Sequence, residues 1–128
     1  MAFSFEYREH ENYVFVHTSG VMTMPDIIRM AQEALLFSRK HHVKRFLVDH
    51  REMVPNIATI DIYDLPGINR ELGINDKLTT AVVYSDHSAN REDFIFYQVR
   101  SLSMGINNLR HFTDMQSAMA WLLGEHEH

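Results

Sequence analysis

Arg45-Phe46-Leu47-Val48-Asp49 is the stretch that decides the fold. Its apolar run is short and continuous rather than alternating, the mark of a strand covered on both faces, as in a parallel sheet. Leu78 to Tyr84, with Ala81-Val82-Val83 at its centre, reads the same way. Leu109-Arg110-His111-Phe112 is a shorter strand suited to an edge. Parallel neighbours cannot be joined by a tight turn and need a crossover, usually a helix.

The chain carries helical patterns between these strands. Met24, Ile27, Ile28, Ala31, Ala34 and Leu35 fall on one helical face. Thr23-Met24-Pro25-Asp26 opens that helix, which should fade near Lys40. Thr59 to Leu72 is helix-like, with Pro66-Gly67 predicting a kink or two short pieces. Ser88 or Asn90 can cap a helix to about Met104, stopped by Gly105. Thr113-Asp114-Met115-Gln116 has capping-box spacing and opens a last helix through Leu123, before a fraying His-rich tail.

Upstream, Phe3-Ser4-Phe5-Glu6-Tyr7-Arg8 alternates strictly, as a half-buried strand does. Tyr13 to Thr18 is rich in β-branched and aromatic residues and pairs with it as a hairpin, ended by Ser19-Gly20. The order is β-β-α-β-α-β-α-β-α. This predicts an α/β fold, a single open, mixed but mostly parallel five-stranded sheet with helical crossovers, as one domain over residues 1–128.

Composition narrows the function classes. Hydrophobic residues are 45% and charged residues 23%, values that support a packed core rather than disorder. Cysteine is absent, which excludes disulfides, thiolate nucleophiles and Cys-based zinc sites. With no secretory signal in the first residues, this favours the cytoplasm. No apolar run is long enough for a membrane span, which leaves peripheral membrane association open. The net charge of -5, with basic residues scattered apart from Arg39-Lys40 and Lys44-Arg45, argues against nucleic acid as the partner. The nine histidines lack ligand spacing, so no metal or other cofactor is expected.

In open α/β sheets ligands sit at the carboxyl ends of strands. Those ends carry Ser19-Gly20, Asp49-His50-Arg51 and Ser85-Asp86-His87-Ser88. If they converge, Arg51 could hold an anionic group and His50 could donate to it, with Asp49, Ser85 and His87 completing the crevice. The alternative is that Asp49 bonds the local backbone and Arg51 pairs with it. Ser85 or Ser88 with a histidine and an aspartate supplies triad residue types, but no nucleophile-elbow motif surrounds either serine. Phe94-Ile95-Phe96-Tyr97 sweeps about 300° of a helix, more than a sheet can cover. A core stripe of Ile95, Val99 and Leu102 would leave Phe94, Phe96 or Tyr97 outward, as a partner surface, a dimer interface or the wall of an apolar pocket.

Val16-His17-Thr18-Ser19-Gly20, Leu47-Val48-Asp49, and Phe112-Thr113-Asp114 leading into Ala118-Met119-Ala120-Trp121-Leu122 resemble the SpoIIAA-like branch of the STAS domains. The STAS fold is shared by anti-sigma factor antagonists and sulfate transporters. The resemblance spans about Tyr13 to Leu123. It implies a small bacterial regulatory or binding domain, suited to an apolar or amphipathic ligand. In the antagonists a serine after the central strand is the phosphorylation switch. Here His50 to Ala58 contains no serine, and Thr59 is the nearest hydroxyl. The leading expectation is therefore a non-catalytic module that binds a small apolar ligand or a protein partner, with a homodimer through the Phe94–Tyr97 helix. A phospho-regulated switch at Thr59 is the alternative, and a serine hydrolase a distant third.

Overall fold

The computed structural model describes residues 3–74 and 78–124. Its elements are β1 (Phe3–Arg8), β2 (Tyr13–Thr23), α1 (Met24–His41), β3 (Arg45–Asn56), α2 (Thr59–Glu71), β4 (Thr79–Val83), α3 (Arg91–Ser103), β5 (Leu109–Phe112) and α4 (Met115–Gly124). This is the expected order. The five strands form one sheet in the order β1-β2-β3-β4-β5, antiparallel only between β1 and β2. Each crossover therefore leads to the next strand along. Asn12 closes the β1–β2 turn with φ 54°, a left-handed conformation that Asn tolerates.

Two apolar layers result. On one face α1, α2 and α3 cover Val14, Val16, Phe46, Val48 and Val82. On the other, Ala118, Trp121 and Leu122 of α4 pack on Tyr13, Leu47, Ala81 and Val83. Phe46 and Val48 face one layer and Leu47 the other, so β3 is covered on both sides as its continuous apolar run requires.

Two strands run further than expected. β2 does not stop at Ser19-Gly20 but continues to Thr23, and β3 continues past Asp49-His50-Arg51 to Asn56. β4 ends where Val83 meets Asp49, so beyond that point β2 and β3 pair alone. The ladder shifts register between His17 and Ser19, and Gly20 just beyond takes φ +71°. A residue with a Cβ would be strained there. The buried Met22 and Met53 anchor this extension to the helical layer.

The helices follow their signals with three corrections. At α1 the Thr23 backbone N–H and hydroxyl both donate to Asp26 Oδ2, at 2.9 and 3.0 Å. The backbone bond first, then the hydroxyl, holds the Asp26 carboxyl below its ordinary range. Of the kink or two short pieces expected at Pro66-Gly67, the second does not form: α2 is one helix, with Pro66 fully buried. At α4 the cap is Asp114 rather than Thr113, since Ser117 N–H donates to Asp114 Oδ1 at 2.7 Å. The third correction is the rotation of α3. Phe94 and Ser101 are buried, whereas Val99 and Leu102, expected in the core, are each 56% exposed. Phe94 stacks on Tyr84 with ring centroids 5.3 Å apart and lies 5.9 Å from the His50 ring. Aromatic side chains bury the most area, so their face outcompetes the aliphatic stripe for the sheet. The tail histidines lie outside the described residues.

Candidate functional site

Between the sheet and the α1–α2–α3 layer lies a cavity of about 150 Å³. Ala31 and Ala34 of α1, Leu65 of α2, Phe94 of α3, and Phe46 and Val48 of β3 form much of its apolar wall. The sequence logic is simple. α1 puts two small residues on its buried stripe, and alanine leaves space where a larger side chain would fill it.

Six polar side chains line this cavity: His50, Asn69, Thr80, Asp93, Tyr97 and His111. His50 shares the helical-layer face of β3 with Phe46 and Val48, because side chains two apart point the same way. Its Nδ1 is 2.6 Å from the Thr18 hydroxyl, which itself donates to the Asp49 carbonyl at 3.0 Å. With its one proton so used, the hydroxyl accepts from His50 Nδ1–H. Burial pushes the His50 imidazole down to about 4, against the opposing pull of Asp49. Burial, then the neighbouring His50, pushes His111 down to about 3. Both rings are neutral at pH 7.

Tyr97 sits between Asn69 and His111. Asn69 Nδ2 donates to its hydroxyl at 2.7 Å, and its ring lies 5.7 Å from that of His111. Burial pushes the Tyr97 phenol up to about 12, with the Asn69 bond opposing. Two buried atoms here, Asn69 Oδ1 and His111 Nδ1, have no hydrogen-bond partner among the described residues. Buried polar groups are normally satisfied, so such a pair calls for a reason.

The strand-end residues fall differently. Asp49 and Arg51 share the opposite face of β3 from His50, and they pair with each other. Arg51 Nε donates to Asp49 Oδ1 and Arg51 Nη2 to Asp49 Oδ2, both at 2.9 Å, and the Arg51 backbone N–H adds a bond to Oδ1 at 3.1 Å. Burial acts to raise the Asp49 carboxyl, but these bonds outweigh it and hold it below the ordinary range. Ser85 and His87 lie in the turn after β4, where His87 N–H donates to Ser85 Oγ at 3.2 Å. Asp49 and Arg51 therefore point away from His50, and of Asp49, His50, Arg51, Ser85 and His87 only His50 lines the cavity. Phe94 and Tyr97 face inward and line it too, while Phe96 stays half-buried, stacked on Tyr63 at 6.5 Å. Thr59 is the exposed first residue of α2.

Asn69 and His111 were not among the expected site residues. Asn69 continues the buried stripe Ile62, Leu65, Asn69. A polar residue at a core position is the signal that marks it. His111 shares its side of β5 with Leu109, which also lines the cavity.

Two solved structures share this arrangement of strands and helices. One is an uncharacterized protein from the DUF3478 family with a SpoIIAA-like fold from Shewanella loihica PV-4. It has 19% identity and a TM-score of 0.54, over 94% of this chain and 92% of that one. The other is an anti-sigma factor antagonist from Mycobacterium paratuberculosis, at 12% identity and a TM-score of 0.58, over 94% of this chain and 93% of that one. The chain has the SpoIIAA-like, STAS-type fold. No family model and no curated protein sequence matches it. Among the described residues no helix is long and apolar enough to cross a membrane. No group of three or more candidate metal ligands occurs among them either. The Thr18–His50 contact resembles a hydroxyl–imidazole dyad, but Thr18 is fully buried and its proton is committed to a backbone carbonyl. The contact ties the His50 ring to β2.

Proposed function

We propose that this STAS-type chain is a non-catalytic, cytoplasmic binding module that takes a small apolar or amphipathic molecule into the cavity beneath α1, α2 and α3. The observation that carries the reading is the cavity itself. At about 150 Å³ it matches the volume at which an apolar protein cavity accepts a single benzene-sized molecule. Its wall is mostly apolar with a few polar groups, the usual build of a small-molecule site. The test is an amide NMR titration with toluene. Saturable shifts at Phe46, Val48, Leu65 and Phe94 are expected. Undisturbed spectra with toluene, indole and phenol alike would overturn the reading.

A second reading is a switch phosphorylated at Thr59. Its support is position: the hydroxyl is exposed at the first residue of a thirteen-residue helix, where the dipole favours added negative charge. Intact mass after incubation with cognate kinases tests it, and an unmodified Thr59 in every case would end it. A protein partner or second copy would meet the outward face of α2 and α3, where Ile60, Tyr63, Val99 and Leu102 are exposed. A dimer there predicts that light scattering reports two chains for wild type and one for Leu102→Glu.

A further inference from the structure

We propose that the β1 edge of the sheet is a self-association surface. A second copy of this chain lays its β1 antiparallel on β1 and its α1 antiparallel beside α1, about a two-fold axis at the level of Phe5 and Phe37. The inference does not depend on the cavity or its ligand, and it leaves the α2–α3 face to a partner of another kind.

The two edges of the sheet differ. β5 has four residues, and the Gln98 side chain of α3 accepts from the His111 backbone N–H there. β1 has six residues in unbroken register with β2, and carries no proline or lysine. Along an antiparallel strand the backbone groups turn to alternate sides, so half of those of β1 face away from β2. Such an edge is a template for another strand unless it is blunted.

Beside this edge an open groove of about 510 Å³ runs between β1 and α1. Phe3, Phe5, Leu36 and Phe37 line it, together with Glu33 and Lys40. Glu33, Leu36, Phe37 and Lys40 are spaced i, i+3, i+4, i+7, a stripe apart from the buried one of Ile27, Ala31, Ala34 and Leu35. Leu36 is 61% exposed. Neither Glu33 nor Lys40 has an ion-pair partner among the described residues.

The stripe itself says what covers it. Acid, apolar, apolar, base is its own complement when the second helix runs the other way. Glu33 then meets Lys40 of the second copy, Leu36 meets its Phe37, and the symmetry repeats both contacts. The strand agrees on the same axis. The Phe5 ring lies 5.5 Å from Phe37 and the Tyr7 ring 4.7 Å from His41, so α1 runs alongside β1 in the same direction. The midpoint between Leu36 and Phe37 therefore sits at the level of Phe5. Pairing β1 about Phe5 sets Phe3 against Tyr7 and Ser4 against Glu6, with no like charges opposed. Pairing about Glu6 would oppose two carboxylates. One two-fold axis thus serves the strand edge, the apolar groove and both charges.

The test is light scattering of the whole chain over a concentration series at pH 7, with hydrogen exchange of the β1 amides. Wild type should pass to two chains per particle, and its β1 amides should exchange more slowly at the high end. Leu36→Glu sets two carboxylates beside the axis and should report one chain with unchanged circular dichroism. Glu33→Lys and Lys40→Glu should each weaken association about tenfold, since symmetry doubles each clash, and the double variant should restore it. These charge variants decide the matter if Leu36→Glu fails to fold. Leu102→Glu, on the α2–α3 face, should still report two chains. Wild type as one chain up to about 1 mM would overturn the proposal. So would a dimer lost in Leu102→Glu but kept in Leu36→Glu, charge variants whose effects add instead of cancelling, or β1 amides that exchange equally at both ends of the series.

Discussion

The hydroxyl of Thr18 on β2 accepts from Nδ1 of His50 on β3 at 2.6 Å, and donates to the Asp49 carbonyl beside it. The contact falls where the β2–β3 ladder shifts register. A register shift disturbs the regular pairing of backbone groups, and a side-chain hydroxyl can replace the missing partner. The same bond fixes the ring that borders the cavity.

Removing that hydroxyl leaves two buried polar atoms unpaired. Thr18→Val should cost about 1–3 kcal/mol in urea unfolding, while Thr18→Ser should keep most of the stability. A Thr18→Val protein as stable as wild type would show that His50 and the Asp49 carbonyl find other partners.

Acid should destabilise the fold through its buried histidines. Folded His50 and His111 titrate near 4 and near 3, against 6.5 when unexposed to the fold's interior. The unfolded chain therefore takes up more protons between those values, and stability falls as pH falls from about 6.5 toward 4. Each histidine contributes a slope of up to about 1.4 kcal/mol per pH unit in that window. Chemical denaturation at pH 7, 6 and 5 measures it. A profile flat down to pH 5 would contradict the burial of both rings.

The rotation of α3 predicts opposite costs for two neighbouring residues. Phe94→Ala should destabilise by about 3–5 kcal/mol, since the ring is buried against Tyr84 and His50. Val99→Ala should stay within about 0.5 kcal/mol, as an exposed substitution. Reversed magnitudes would restore the aliphatic stripe to the core.

Filling the cavity should separate stability from binding. Ala34→Leu adds three carbons at the wall, each worth about 0.8 kcal/mol when buried without strain. The melting temperature should rise or hold, and toluene binding should disappear. Undiminished toluene binding would place the ligand elsewhere.

Some of the candidate site was legible early and some was not. His50 stood out because it follows the central strand's apolar run. Its neighbours Asp49 and Arg51 group with it when the strand is read as ending at Asp49. Once β3 continues through them, alternation sends Asp49 and Arg51 to one face and His50 to the other. Asn69 and Tyr97 are 28 residues apart and meet only when α2 packs on α3.

The element order, the hairpin and the buried central strands were determined by the sequence alone. Those features are encoded locally, in the alternation of Phe3 to Arg8, the continuous Phe46-Leu47-Val48, and the helical spacing of Ile27, Ala31, Ala34 and Leu35. Tertiary structure decided the rest: how far β2 and β3 run, which way α3 turns, and which polar groups meet in the cavity. Four large apolar residues in a row leave a helix's rotation undetermined, and only competition among packing partners selects the face that is buried. Phe94 won that competition over Val99, and of the three outcomes open to the aromatic face it is the pocket wall that Phe94 and Tyr97 form, with Phe96 outside it.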